Sequence, residues 1–447
     1  MNYNRGVAIV SFLFLALFLT LLPAYAQTTM FADVLKGHQL GDWTVDFGGE
    51  ERLRWEYRSN FDLNDLVDDD GSIFYNRVRL NVMAKYLDEY EVFVEGLQAD
   101  VWTYEFPNPR TLTSAQRDAF DLHQAYIKMK DPLGCGIGIK VGRQEITLGK
   151  GRLIACPTWA NRINAFDAVL LTGSSGPFSA SVFGGSLVNY DQDNPNHSSD
   201  ESFLAGIYAG YQEDKYAPKF EPYFISQLVN TKGLRQALSS HTHRHTVGLR
   251  TVFTLWELVF DVEVPYQFGE TGATEKDISA YGIHADVTKT FADVPMKPVA
   301  KLEFNLASGD NDPSDDTVKT FIPPSQSTHG PYGLADLIRW QNMREIAMNV
   351  AFQVADGLTL TPGANFLWLD NTHDAWYNVA GVAQNRAHNG SQSSYFGSEL
   401  SIVAAYQLTK VTQLEAGYAH FFAGTFLKET GAHDDVDWIY SQLNTRF

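Results

Sequence analysis

Arg52 and Arg54, and then Arg77 and Arg79, recur at two-residue spacing in two neighbouring alternating segments. On an extended chain that spacing puts both members of a pair on one face. If the two segments pair, four guanidinium groups stand less than about 5 Å apart in the pairing direction. Each like-charged contact then costs of order 1 kcal/mol at a wet, high-dielectric site. Arg244, Arg250 and Arg446 share the same inward parity on later segments. Such a cluster needs counter-charges or a ligand. Glu56, Asp286, Glu303, Glu345 and Glu415 have the parity to supply the first. The cluster has two readings. One is a charge-balanced wall braced by ion pairs. The other is an electropositive constriction that selects anions, as rings of Arg or Lys do in anion pores. Guanidinium groups hold carboxylates in bidentate fashion, which suits sugar acids.

Other chemistry is thin. His241, His243 and His245 alternate and share one strand face, but no Cys or acid stands at matching spacing in the sequence. A polar loop entering a strand is the plainer reading, and no metal or cofactor is expected. Asp310-Asn311-Asp312-Pro313 opens like a calcium loop, yet Pro313 stands where the loop must continue and the later Gly and Glu are missing. No Gly-x-Ser-x-Gly, His-Glu-x-x-His or phosphate-cradling loop occurs. The expectation is a non-enzyme. A barrel hydrolase built from Ser, His and Asp at strand tops is the remote alternative.

The elements that position these residues alternate with period two. Leu53, Trp55 and Tyr57 interleave with Arg52, Arg54, Glu56 and Arg58, and Val78, Leu80 and Val82 with Arg77, Arg79 and Asn81. The same pattern returns over 278–289, 299–306 and 413–422. Each segment has one apolar and one polar face, the half-buried strand signature. Short turns fall at 87–89, 131–136, 173–176, 212–218, near Trp256, and at 292–296, 356–357 and 408–411. Longer polar segments fall at 60–72, 104–119, 148–163, 189–201, 230–242, 269–277, 308–340, 370–393 and 423–435. Together they imply about 18 strands in an all-β, transmembrane, antiparallel up-and-down barrel, with short periplasmic turns and long extracellular loops. The apolar face switches sides within 91–102 and 137–147, which a β-bulge at Gly96 or Gly142 explains. The facing of Glu95 and Arg143 is therefore left open. The last segment ends in Phe447, with Ile439 and Leu443 on the same face, and a terminal Phe resembles the signal that barrel-assembly machinery reads.

Residues 1–26 read as a secretory signal peptide. Arg5 precedes an apolar run from Val7 to Leu22, Pro23 breaks it, and Ala24-Tyr25-Ala26 has the small-x-small cleavage pattern. Residues 27–447 then form the barrel, with 27–42 a short periplasmic lead-in. No apolar run beyond it reaches the ~20 residues of a helical span. Aromatic residues make up 13% of the chain, as in barrels whose lipid-facing and lumen-facing residues alternate. Cys135 and Cys156 would lie on opposite sides of a hydrocarbon layer ~30 Å thick, so no disulfide is expected.

The net charge of −19 sits mostly in the long segments. Asp62, Asp65, Asp68, Asp69 and Asp70 crowd the first, Asp310, Asp312, Asp315 and Asp316 the seventh, and Glu429, Asp434, Asp435 and Asp437 the last. These read as solvated outer loops beside lipopolysaccharide, bridged to it by divalent cations. The balance weighs against nucleic acid as a partner.

The opening stretch also carries a family resemblance. Arg54-Trp55-Glu56-Tyr57-Arg58-Ser59-Asn60-Phe61-Asp62, Asn76-Arg77-Val78-Arg79-Leu80 and Val94-Glu95-Gly96-Leu97-Gln98-Ala99-Asp100 are followed by Asp121-Leu122-His123-Gln124-Ala125-Tyr126. Gly142-Arg143-Gln144-Glu145, Gly151-Arg152-Leu153-Ile154, Trp159-Ala160-Asn161-Arg162 and Phe166-Asp167-Ala168 complete the series. In order and spacing this resembles the alginate-export porin family; beyond residue 175 the likeness is one of strand pattern and length. The resemblance implies an 18-stranded outer-membrane barrel whose best-studied type exports a polyuronate through an Arg-lined constriction. It places Arg77 and Arg79 on the family's pore strand, Arg143 in its Gly-Arg-Gln, and Arg152 and Arg162 in a third loop that folds into the lumen with Trp159. The expected function is a monomeric outer-membrane channel for anionic polysaccharide or sugar acids, in contact with membrane lipid. A general small-solute porin is the alternative, and direction of transport and periplasmic partners stay open.

Overall fold

The computed structural model describes residues 32–447 apart from 67, 107–115, 232–239, 273–274, 328 and 385–388. The signal segment 1–26 lies outside the described residues. Alternation produces the expected ring of strands. The first six are β1 (Trp43–Ser59), β2 (Gly71–Tyr86), β3 (Tyr90–Glu105), β4 (Asp118–Met129), β5 (Ile137–Gln144) and β6 (Phe166–Ser175). Next come β7 (Phe178–Asn189), β8 (His197–Tyr211), β9 (Lys219–Thr231), β10 (Ser240–Leu255), β11 (Leu258–Thr271) and β12 (Lys276–Thr290). Last are β13 (Val299–Ala307), β14 (Met343–Ala355), β15 (Leu358–Trp368), β16 (Tyr395–Gln407), β17 (Thr412–Ala423) and β18 (Val436–Arg446). Each pairs antiparallel with the next, and β18 pairs with β1 at Leu53↔Leu443, closing an 18-stranded barrel. Closure leaves no unpaired edge, the condition for spanning lipid with strands.

The two faces differ as the alternation requires. Leu80, Val82, Leu249, Leu302 and Ile402 stand exposed on the outer surface, while Arg52, Arg77, Arg250 and Glu263 are buried on the inner one. Apolar side chains in a continuous outward belt have lipid as their favourable surrounding. Aromatic residues rim the belt: Trp43, Tyr86 and Tyr90 at the periplasmic end, Phe224, Tyr266 and Phe268 toward the outer end. The described strands leave the eight turns and nine connections near their expected places, although β8 begins at His197 inside the expected 189–201 segment and β11 and β12 both run into 269–277. The three-residue β2–β3 turn has Leu87 and Asp88 at positive φ, and the two-residue β10–β11 turn has Trp256 and Glu257 there too. The latter is the type I′ geometry whose twist matches the flanking strands.

Several details refine the expectation. The register does shift opposite Glu95-Gly96, but the extra residue is His123 on β4, and Gly96 itself stays in regular register with Leu80, so the expected bulge lies on the neighbouring strand. Gly142 keeps its register and absorbs the distortion at φ +126. Part of the lead-in, His38–Leu40, pairs back on Trp43–Val45. Phe447 extends the seam: its N–H donates to the Gly49 carbonyl at 3.0 Å and its own carbonyl accepts from Gly49 N–H at 2.9 Å. Cys135 is free and exposed in a periplasmic turn, and Cys156 is free and buried inside the barrel. The last outer connection holds a short helix, α1 (Thr425–Thr430), that buries Phe426 and Leu427. Not every acidic loop residue is solvated. Asp69 accepts hydrogen bonds from Phe61 N–H and Asp62 N–H, and Asp310 accepts from Asp312 N–H; both are buried turn-formers.

Two long connections turn inward. Residues 145–165, between β5 and β6, carry buried Leu153, Ile154 and Ile163. Residues 308–342, between β13 and β14, carry buried Phe321, Tyr332 and Trp340. The apolar side chains of these segments supply the core that a bare barrel of this size lacks.

Candidate functional site

The arginines of β1 and β2 face inward, and their crowding is resolved by the third connection. Arg52 Nη1 donates to the carbonyls of Thr158 and Trp159 at 2.8 Å each, and its Nη2 reaches Ala160 O and Asn161 Oδ1. Arg77 Nη1 donates to Thr158 O at 2.7 Å and Ala160 O at 2.9 Å, and its Nε to Glu50 Oε1 at 2.9 Å. Arg54 Nη1 donates to Trp159 O at 2.6 Å, and its guanidinium lies 4.0 Å from the Trp159 ring centroid. Glu56 takes Arg54 at 2.8 Å and Arg58 at 2.7 Å. Arg52 is only 2% exposed and Arg77 1%. Carbonyl dipoles and two carboxylates thus neutralise a cluster that would otherwise repel itself.

Arg79 holds a second knot. Its Nη2 lies 2.7 Å from both Glu95 Oε1 and Glu145 Oε1, and His123 Nε2 is 2.9 Å from Glu145 Oε1. Glu95, His123 and Glu145 are close enough to share a metal ion, as are Asp261, His284 and Asp286. Guanidinium groups already occupy both places. In the second, Arg152 Nη1 is 2.8 Å from Glu263 and its Nη2 is 3.5 Å from Asp261. Arg250 bridges Asp261, at 2.6 Å, and Glu221. These groups line a cavity of about 740 Å³ on the periplasmic side, where Lys150, Arg152, Arg250 and Lys301 face Asp261, Asp286, Glu303 and Glu345. Glu345 is held by the amides of Asn305 and Asn365 at 2.7 Å each.

The two inward connections join across the lumen. Ile154 and Ser325 form a parallel bridge; Ala155 N–H donates to Ser325 O at 2.6 Å and Ser325 N–H to Leu153 O at 2.9 Å. The Trp159 and His329 rings stack with centroids 3.6 Å apart, and Trp159 meets Tyr440 of β18 edge-on at 4.9 Å. Beyond the junction, Gln267 of β11 exchanges hydrogen bonds with Ile322, donating at 2.8 Å and accepting at 3.0 Å. Glu399 of β16 accepts from Leu334 N–H at 2.6 Å and Ala335 N–H at 3.0 Å. The chain therefore runs from the β1–β2 wall to the β11 wall on the far side of the ring. Burial pushes the Cys156 thiol, inside this bridge, up to about 12, so it stays protonated.

Arg244 and Arg339 are placed differently. Arg244, on β10, is 6% exposed and donates from Nη1 to Gln227 Oε1 at 3.1 Å. Arg339, in the inward 308–342 connection, donates from Nη2 to Pro323 O at 3.3 Å. Both Nε groups are buried without an acceptor, and the two guanidiniums repel one another. Burial pulls the Arg339 guanidinium down to about 10. Among the described residues neither has a carboxylate partner, and the remaining segments contain no Asp or Glu at all.

Seven of the nine arginines expected at the pore thus lie on the inner wall or on the inward connection beside it: Arg52, Arg54, Arg77, Arg79, Arg152, Arg244 and Arg250. Arg143 does not. It shares a face with Val141 and pairs with Asp167, which shares a face with Val169; both valines are exposed outward. The strand alternation past Gly142 carries Arg143 to the outer surface. Arg162 folds in with its loop but stacks on Tyr190, 3.8 Å from its ring centroid, away from Arg52. Arg339, Glu399 and Gln267 were not singled out from sequence. The apolar Tyr332–Trp340 stretch inside a long polar connection was the available signal.

A family model described as alginate export matches residues 43–439, almost the whole barrel. The chain belongs to the alginate export family. No curated protein matches this family member in sequence. Its fold is similar to solved Pseudomonas aeruginosa structures. OccK2 (OpdF) in complex with glucuronate is 9% identical with TM-score 0.60, covering 90% of this chain and 98% of that one. OpdO is 11% identical with TM-score 0.59, covering 90% and 97%. OccK11 (OpdR) is 12% identical with TM-score 0.54, covering 90% and 96%. This alginate-export-family barrel is an outer-membrane channel.

Proposed function

We propose that the channel passes small anionic sugar acids, with Arg244 and Arg339 as the residues that first hold the carboxylate. The observation that carries this is the pair itself. Most other lumen arginines meet a carboxylate or several backbone carbonyls, whereas these two are buried with one hydrogen bond each, to Gln227 and to the Pro323 carbonyl, and with no carboxylate partner among the described residues. A solute carboxylate beside the pair would offset its positive charge and accept from the guanidinium N–H groups. Size favours an acid of one or two sugar units over a polymer. The bridge of 145–165 and 308–342 crosses the lumen, and the cavity beneath it is about 740 Å³. A polyuronate would need the bridge to move. The cavity's balanced charge favours release once the solute has passed, since conduction needs sites that bind weakly enough to leave. In this reading the barrel is a conduit with no chemical step, working in contact with lipopolysaccharide at its acidic outer loops.

The test is planar-bilayer recording with glucuronate and a neutral sugar of equal size. Glucuronate should interrupt the current and glucose should not. The R244A/R339A channel should need on the order of tenfold more glucuronate for the same block, the effect of losing about 1.4 kcal/mol. Equal block by both sugars, or block unchanged in the double variant, overturns the reading in favour of a general small-solute porin.

A further inference from the structure

We infer that His241, His243 and Glu270 form a divalent transition-metal site on the outer surface of the barrel, at the extracellular end of β10 and β11. The three histidines 241, 243 and 245 share a face with Val247 and Leu249, whose side chains are 45% exposed, so the imidazoles point outward and away from the lumen. The sequence offers them no acid at matching spacing. The fold does: His243 stands directly opposite Glu270 in the β10–β11 register, and Glu270 stands opposite Asp277 in the β11–β12 register. His241 is diagonal to Glu270, two residue pairs further out, where its carbonyl accepts from Gly272 N–H at 2.9 Å.

The geometry suits a metal ion. Directly opposed residues hold their Cβ atoms about 5 Å apart and diagonal ones about 7–8 Å, within reach of long side chains converging on one point. Two imidazoles and a carboxylate are a donor set for Zn²⁺, Ni²⁺ or Cu²⁺ at ~2.0–2.2 Å, and a poor one for Mg²⁺. Asp277 or water completes the shell. His241, His243, Glu270 and Asp277 are all exposed, and among the described residues none makes a side-chain hydrogen bond or ion pair. The donors therefore have no side-chain bond to break in converging on an ion. The backbone beneath is fixed by continuous pairing from Thr242↔Thr271 down to Leu255↔Leu258. His245 belongs to a different layer. Its ring lies between Phe224, at 5.8 Å, and Phe268, at 5.3 Å, in the aromatic rim of the lipid belt. The proposed site stands just above that rim, on the side of the lipopolysaccharide sugars. It is independent of the solute reading, because it lies on the opposite face of the wall.

The experiment is titration of full-length, tag-free protein in detergent with Zn²⁺ and, separately, Co²⁺. Calorimetry should show one saturable Zn²⁺ equivalent that millimolar Mg²⁺ does not displace, and Co²⁺ should develop visible d–d bands. H243A and E270Q should each weaken Zn²⁺ by on the order of tenfold or more, since each removes one of three protein ligands. Both variants are surface changes, and unaltered heat-modifiable migration on gels establishes that the barrel is intact. Absence of a saturable equivalent in the parent protein, or equal Zn²⁺ affinity in an intact H243A barrel, overturns the assignment.

Discussion

Arg52 reaches from the barrel wall to the Trp159 carbonyl oxygen, 2.8 Å away and 107 positions along the chain. That contact and its neighbours bind the third connection by its backbone, so the loop's conformation rather than its side chains is fixed. Hydrogen bonds to a charged group contribute roughly 1.5–3 kcal/mol each. Arg52→Ala removes four donations and should free the loop while the outward belt keeps the barrel closed. Single-channel conductance should rise and become noisier, and limited proteolysis should cut within 145–165. Arg52→Lys should fall between the two, because an ammonium cannot address several carbonyls in a plane. Unchanged conductance in Arg52→Ala would show that this clamp does not hold the loop.

The second inward connection is held by the opposite polarity. Glu399 accepts two backbone N–H groups, from Leu334 and Ala335, close beside Gly333, where a Cβ would sit 3.0 Å from its carboxylate. Glu399→Ala leaves two donors unmatched in a buried position, at roughly 1–3 kcal/mol each. Residues 330–337 should then exchange amide hydrogens faster than in the parent protein. The 145–165 segment should loosen with them, since Ile154 and Ser325 couple the two. Loosening confined to one segment would refute a single bridge.

Arg79 makes a sharper prediction. It keeps Glu95, His123 and Glu145 together without a metal by filling the place one would take. Removing one partner of a buried ionic cluster destabilises by several kcal/mol, here about 3–5. Zinc should rescue it. Purified Arg79→Ala should gain thermal stability on adding Zn²⁺ beyond any gain of the parent, and its conductance should fall as the ion settles in the lumen. A Zn²⁺ response identical in both proteins would rule this out.

The ring of strands was legible because alternation and turn residues are local signals. Leu53-Arg54-Trp55 declares two faces, and Ala292–Met296 declares a turn, without reference to the rest of the chain. The inward facing of Arg52, Arg54, Arg77 and Arg79 came from the same periodicity. The contacts of these side chains did not. Arg52 meets Trp159 only because 145–165 folds inward, and no short-range pattern encodes which wall a loop will reach. Arg143 shows where the resemblance misleads: its Gly-Arg-Gln match put it at the pore, while unbroken alternation past Gly142 carries it outward with Val141. Glu270 escaped notice for the converse reason. It is 27 positions from His243, and only the register of two strands puts them side by side.

Leu249 and Arg250 test the face assignment at one depth. Leu249 points to lipid opposite Val264, and Arg250 points inward to Glu221 and Asp261. The two Cα atoms are neighbours, so depth in the bilayer is the same and only the surroundings differ. Inside, the guanidinium finds carboxylates and water. Outside, an arginine near the midplane of a barrel costs ~2–4 kcal/mol, falling toward zero at the interfaces. Leu249→Arg should therefore lower folding free energy in lipid vesicles by about that amount, measured by urea titration with tryptophan fluorescence. The same substitution at Leu255, beside the periplasmic turn, should cost no more than ~1 kcal/mol. Equal costs at the two positions would mean that no hydrocarbon belt covers Leu249, and the outward face of β10 would need another explanation.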